Sequence, residues 1–222
     1  MIDIEQYIET LIHKLTGHFD ARLIYVGLQG SYLRADASED SDIDIMVVID
    51  GLTVADLTRY RAIIHSMDYS DKSCGFICSK ADISKWNTLE VCHLLHTTKD
   101  YFGNLRDLVP AYTAYDIRTF IQLSLNNLYH EICHRHVHSK VSGDITTLKY
   151  SFKNVFFILQ NLYFYKTGTF ITTKIELLSL LDGLDFAVLQ RSVELNRSLP
   201  HSYSDSLELL FTWCQRTLVE LT

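Results

Sequence analysis

The apolar residues change period part-way along the chain, and that change limits the fold more than any other feature. Up to about residue 105, strand-like runs alternate with helical ones. Ile4, Tyr7, Ile8, Leu11, Ile12 and Leu15 recur at the spacing of one helix face. The runs Leu23 to Gly27 (LIYVG), Ile43 to Ile49 (IDIMVVI) and Gly75 to Ser79 (GFICS) are short and largely β-branched or aromatic, the composition of strands. Asp50-Gly51 stops the second run, and Thr53 or Asp56 is placed to cap a helix reaching about Met67. Residues 84–95 are mixed in character. Beyond residue 105 only the helical period remains. Asp116, read as an N-cap, precedes Ile117, Ile121, Leu125, Leu128 and Ile132 on one face. Leu148 to Lys166 repeats the pattern and stops at Gly168. A shorter helix, Thr173 to Leu181, ends at Asp182-Gly183, and Ser204 to Leu221 forms the last one. The pattern predicts an α/β or α+β sheet domain over residues 1–105 and an all-α helical bundle over 106–222, with the boundary near Asn104 to Pro110.

Composition narrows the partners. The chain has 222 residues, enough for one large or two small domains. A hydrophobic fraction of 47% excludes general disorder. With 20 Lys+Arg against 27 Asp+Glu, the net charge of -7 argues against a nucleic-acid coat, which needs clustered basic residues. It does not exclude a single nucleotide, because a divalent cation can bring phosphate to an acidic site. The first residues carry charges throughout and form no apolar leader, and no run approaches the roughly 18 apolar residues of a membrane span. The five cysteines are scattered and suggest neither a zinc ribbon nor a disulfide framework. A cytoplasmic protein with reduced thiols is expected, and a homodimer is compatible with this reading.

Between the first two strands lies Gly30-Ser31, then a polar loop, then Ser41-Asp42-Ile43-Asp44. Asp42 and Asp44 are two apart at the start of a strand, so both side chains face one side of the sheet. Adjacent carboxylates repel unless a cation neutralises them, and Mg²⁺ takes one or two carboxylates together with substrate phosphates. Gly30 lets backbone approach a phosphate, and Ser31 adds a hydroxyl donor. Arg34 offers a charge-assisted contact to phosphate, or is a solvated loop arginine. The segment therefore offers a metal site, Asp42 and Asp44, beside a phosphate site.

These residues resemble the DNA polymerase β-like nucleotidyltransferase superfamily, and within it the small antibiotic nucleotidyltransferases. The family pattern is Gly-Ser, about ten residues, then Asp-x-Asp; Gly30, Ser31, Asp42 and Asp44 match it, and Ser41 matches a serine common before the first aspartate. The likeness covers roughly residues 1–105 and implies a small mixed-sheet nucleotidyltransferase domain. Residues 106–222 are similar, less specifically, to the helical substrate-binding domain of kanamycin-type enzymes, around Leu162 to Gly168 and Thr172 to Leu178. The resemblance implies Mg²⁺-dependent transfer of a nucleoside monophosphate from an NTP, expected to be ATP, to a hydroxyl of a small acceptor such as an aminoglycoside-like antibiotic. It also implies a base from the helical half, for which Glu131 is the candidate.

Two departures stand out. Ala35 occupies a position that is often glycine in the family. The third carboxylate expected on the strand after the intervening helix is absent from Ser73 to Ser79, with Asp71, Asp82 and Glu90 as the nearest acids. An alternative therefore stands beside the enzyme: a catalytically degenerate nucleotide-binding or antitoxin-like regulatory protein of the same fold. His130-Glu131-x-x-His134 also reads as a zinc-protease motif, but its histidines fall on the polar face of their helix and no third ligand follows at the required spacing.

Overall fold

A computed structural model describes residues 2–139 and 143–221. The chain divides into two compact units, residues 1–112 and 113–222. In the first unit, α1 (Ile4–Phe19) leads through a 3₁₀ turn (Asp20–Arg22) into β1 (Leu23–Leu28). A one-turn helix, α2 (Gly30–Leu33), and a loop precede β2 (Ile43–Ile49), α3 (Val54–His65) and β3 (Ser73–Ser79). Then come α4 (Lys80–Ile83), α5 (Thr88–His96), β4 (Lys99–Phe102) and a second 3₁₀ turn (Leu105–Asp107). The four strands lie in the order β3-β2-β1-β4. β1 runs antiparallel to both β2 and β4, while β2 and β3 are parallel, so the sheet is mixed.

The period of β2 distributes the core. Ile43, Ile45, Val47 and Ile49 join the cluster built on Ile8, Leu11 and Leu15 of α1. Met46 and Val48 point the other way, into a cluster with Tyr25, Cys78, Ile83 and Leu105. A strand buried on both faces reads as the continuous apolar run seen in the sequence. Asp44 is the one charged residue within it.

Local chemistry starts the helices. Thr53 caps α3, and Asp56 returns a hydrogen bond to the Thr53 N–H, a complete capping box. Asp56 is 1% exposed and accepts from Arg22 Nη2 at 2.6 Å. That guanidinium, with the Thr53 donors, holds the Asp56 carboxyl well below the usual carboxylate range. The pair ties the start of α3 to the turn before β1.

The second unit consists of α6 (Ala114–His138), α7 (Ile145–Thr167), α8 (Lys174–Leu180), α9 (Gly183–Asn196) and α10 (Tyr203–Glu220). α7 packs against α6, α9 and α10. Two of its polar core residues donate locally: Gln160 to the Ile171 carbonyl and Asn161 to that of Phe157. Trp213 is fully buried and donates its indole N–H to Asp185 at 2.8 Å. No helix among the described residues is long and apolar enough to cross a membrane.

Two local expectations are corrected. The cap of α6 is Thr113, not Asp116, which sits three residues on and accepts from the Thr113 N–H and hydroxyl at 2.7 and 2.6 Å. A reciprocal box satisfies two free donors, where a lone Asp116 cap satisfies one. Asp182-Gly183 does not merely close a helix; it opens α9, which the apolar pattern did not separate. Gly183 adopts φ +53°, a reversal that glycine permits without steric cost.

Gly75 of β3 is constrained by space. It has φ +140°, and a Cβ there would stand 2.0 Å from the Ile45 carbonyl oxygen. Gly75→Ala is expected to destabilise the protein by more than about 2 kcal/mol, read from the midpoint of denaturant unfolding.

Candidate active site

The site is built where β1 ends and β2 begins. The Gln29 N–H donates to the Asp44 carbonyl at 2.8 Å, extending the β1–β2 ladder by one rung. Gly30 follows at once with φ +70°, and a Cβ on it would lie 1.9 Å from Asp44 Oδ2. The Asp44 carboxylate therefore occupies the space that any other residue at 30 would fill. Sequence alone assigned Gly30 to phosphate approach; the structure shows that it is also required by Asp44.

Asp44 is half-buried and Asp42 is exposed. Burial first, and then the charge of Asp42, raise the Asp44 carboxyl above its ordinary range, while the Cys74 thiol and the Arg34 charge oppose the rise. Asp42 makes no hydrogen bond or ion pair among the described residues. Among the described residues no group of three or more His, Cys, Asp or Glu is arranged to hold a metal ion. Two carboxylates, one of them partly desolvated and without a cation, fit Mg²⁺ that arrives with substrate phosphates rather than a cage made by protein alone.

The other expected residues fall as follows. The Ser31 hydroxyl has no partner among the described residues, while its carbonyl accepts from the Asp36 N–H at 3.0 Å. Arg34 ends α2, reaches Asp36 at 3.4 Å, and acts electrostatically on Asp44. Ser41 closes the loop, its hydroxyl accepting from the Ser38 N–H at 2.8 Å. Ala35 takes φ +55°, the left-handed conformation that glycine adopts more easily. Glu131 belongs to the second unit, where it accepts from the Ser151 hydroxyl at 2.7 Å and pairs with Arg135 at 3.1 Å.

Two residues escaped the sequence reading. β3 carries no carboxylate, and its residue in register with Asp44 is Cys74. Same-register residues of neighbouring strands share a face, and the Cys74 thiol and the Asp44 carboxylate influence each other across it. From α5, the His93 imidazole is pushed down to about 4 by burial, then by the charges of Arg34 and His96. At neutral pH it is an uncharged imidazole under the electrostatic influence of Arg34. A polar residue inside the apolar pattern of α5 was the available signal, and it went unused.

Residues 14–74 match the family model of the nucleotidyltransferase domain. The first unit carries a nucleotidyltransferase domain. The matched segment of that domain spans Gly30, Ser31, Asp42 and Asp44 and ends on Cys74. The whole chain is similar in fold to spectinomycin adenyltransferase from Enterococcus faecialis, solved with ATP and spectinomycin. The two are 15% identical with a TM-score of 0.58, and the match covers 97% of this chain and 99% of that one. A nucleotidyltransferase-like protein from Exiguobacterium sibiricum aligns at 12% identity and a TM-score of 0.37, over 98% of this chain and 75% of that one. No curated protein matches the chain.

Two outcomes are expected of the nucleotidyltransferase domain. Ala35→Gly relieves the left-handed strain and stabilises the chain by about 1 kcal/mol in chemical denaturation. For Asp44, a raised carboxyl means that the folded state favours the protonated form. Its contribution to stability is therefore complete below the ordinary carboxylate value of about 3.9 and is lost as pH rises through the raised value. Asp44→Asn should raise the metal-free melting temperature at neutral pH, and that gain should shrink as pH falls through the raised value toward about 3.9, with no further change below it; melting curves across the range check it.

Proposed function

We propose that this protein is a Mg²⁺-dependent nucleotidyltransferase that moves a nucleoside monophosphate from an NTP to a hydroxyl of a small acceptor. The observation that carries the reading is the packing of Gly30 onto Asp44, which joins a phosphate-approach loop to the Asp42-x-Asp44 pair. The family match over residues 14–74 supports it. ATP and an aminoglycoside-like antibiotic acceptor are the substrates favoured, a reading supported by a fold relative solved with ATP and spectinomycin.

Asp42 and Asp44 would hold Mg²⁺, which when bound offsets triphosphate charge and stabilises the departing pyrophosphate. The Gly30 backbone and the Ser31 hydroxyl bind phosphate oxygens, and Arg34 adds a charge-assisted bond to them. The acceptor oxygen forms its bond to the α-phosphorus as the bond to pyrophosphate breaks. Its proton passes to a base, for which Glu131 remains the candidate; Ser151 and Arg135 orient its carboxylate. Nucleotide binding is assigned to the first unit and acceptor binding to the helical unit.

One observation favours a second reading, nucleotide binding without transfer: the position facing Asp44 is the thiol of Cys74 rather than a carboxylate. Pyrophosphate release from MgATP over a panel of hydroxyl-rich antibiotics, together with equilibrium binding of MgATP, separates the two. The enzyme reading expects acceptor-dependent release that falls by about 10²-fold or more in Asp42→Asn plus Asp44→Asn. Metal-dependent binding with no release from any acceptor supports the second reading. Absence of metal-dependent ATP binding sinks both.

A further inference from the structure

The C-terminal part of α6 carries four histidines, and the proposed reaction uses none of them. His136 is engaged, stacking on Tyr203 with its Nδ1 3.3 Å from the Tyr203 hydroxyl. The other three, His130, His134 and His138, recur every fourth residue and form one exposed stripe. Their ring nitrogens have no hydrogen-bond partner among the described residues. The neighbouring charges are directed elsewhere: Glu131 pairs with Arg135 and Ser151, and Arg135 also donates to the Thr147 carbonyl.

The rings follow one another along the helix as tilted neighbours. The centroids of His130 and His134 are 5.8 Å apart, and those of His134 and His138 are 4.9 Å apart. A dication held by two imidazole nitrogens at about 2.1 Å lies roughly 3.2 Å from each ring centroid, and a tetrahedral angle between the rings then separates the centroids by about 5.2 Å. The two observed spacings straddle that value. Small rotations about the side-chain bonds would bring either pair to chelating geometry. Three side chains do not converge on one point, consistent with the absence of any three-ligand cluster among the described residues.

We propose that His134, with either His130 or His138 as its partner, forms a two-point chelating site for one borderline transition-metal dication such as Zn²⁺ or Ni²⁺. Water completes the coordination, since the stripe is exposed. The site is chemically orthogonal to the Asp42 and Asp44 pair. Neutral imidazole selects zinc, copper and nickel, whereas paired carboxylates and phosphates select magnesium. A bound ion bridges successive turns of α6 and so stabilises the last part of that helix. It does not restore the protease reading: such a motif needs a third protein ligand, and none joins the stripe among the described residues.

The test is calorimetric titration of the untagged full chain with Ni²⁺ in excess Mg²⁺, which leaves the carboxylate pair occupied by the hard ion. One Ni²⁺ per chain is expected. His134→Ala removes the shared ligand and should weaken binding roughly tenfold or more. His130→Ala and His138→Ala each leave one pair intact and should change affinity only a few-fold, while the double variant should behave like His134→Ala. Ni²⁺ should raise the melting temperature of the wild type and not that of His134→Ala. Absence of Ni²⁺ binding to the wild type overturns the proposal. So does equal affinity in His134→Ala, which would locate the ion elsewhere, for instance at Cys74.

Discussion

The contact between Gly30 and the Asp44 carboxylate is the constraint on which the candidate site depends. It requires three things at once: a strand ending at Leu28, a left-handed residue directly after it, and an adjacent antiparallel strand whose second residue is acidic. β2 meets the last requirement while burying its remaining side chains on both faces. The carboxylate is thus placed by a strand whose other side chains are all buried. That placement has a cost, because burial disfavours the charged form of the acid.

The acidic residues of the chain act in different ways. Asp56 is almost fully buried and is compensated by Arg22, so it serves the fold. Asp116 serves a capping box, and Asp185 receives Trp213 and Arg216. Among the described residues, Asp42 and Asp44 have no comparable basic partner bonded to them. Net charge says little about function here; the difference lies in which carboxylates the fold neutralises.

Much of the fold was legible before any coordinates. β1, β2 and β3 are β-branched or aromatic runs with turn residues at their ends, and the long helices carry a clean apolar face. The features that were missed are those without local contrast. β4, Lys99-Asp100-Tyr101-Phe102, is four residues long and mostly exposed, and it exists because β1 offers a free edge. α9 follows α8 so closely that the Asp182-Gly183 signal read only as an ending. Thr113 was passed over as a cap because Asp116 is an equally good candidate locally; the reciprocal bonds distinguish them.

The sequence by itself determined the chemistry at hand: Gly-Ser and an acidic pair two residues apart, the second of them inside a strand. Those are properties of neighbouring residues, and backbone geometry alone dictates them. Only the tertiary structure decided what faces that pair. Cys74 meets Asp44 because two parallel strands joined through α3 settle into one register, and His93 of α5, far along the chain, comes under the electrostatic influence of Arg34. Such pairings arise from burying the two faces of a sheet together. No local pattern in the chain specifies them, since register across a crossover is set by the packing of the whole core.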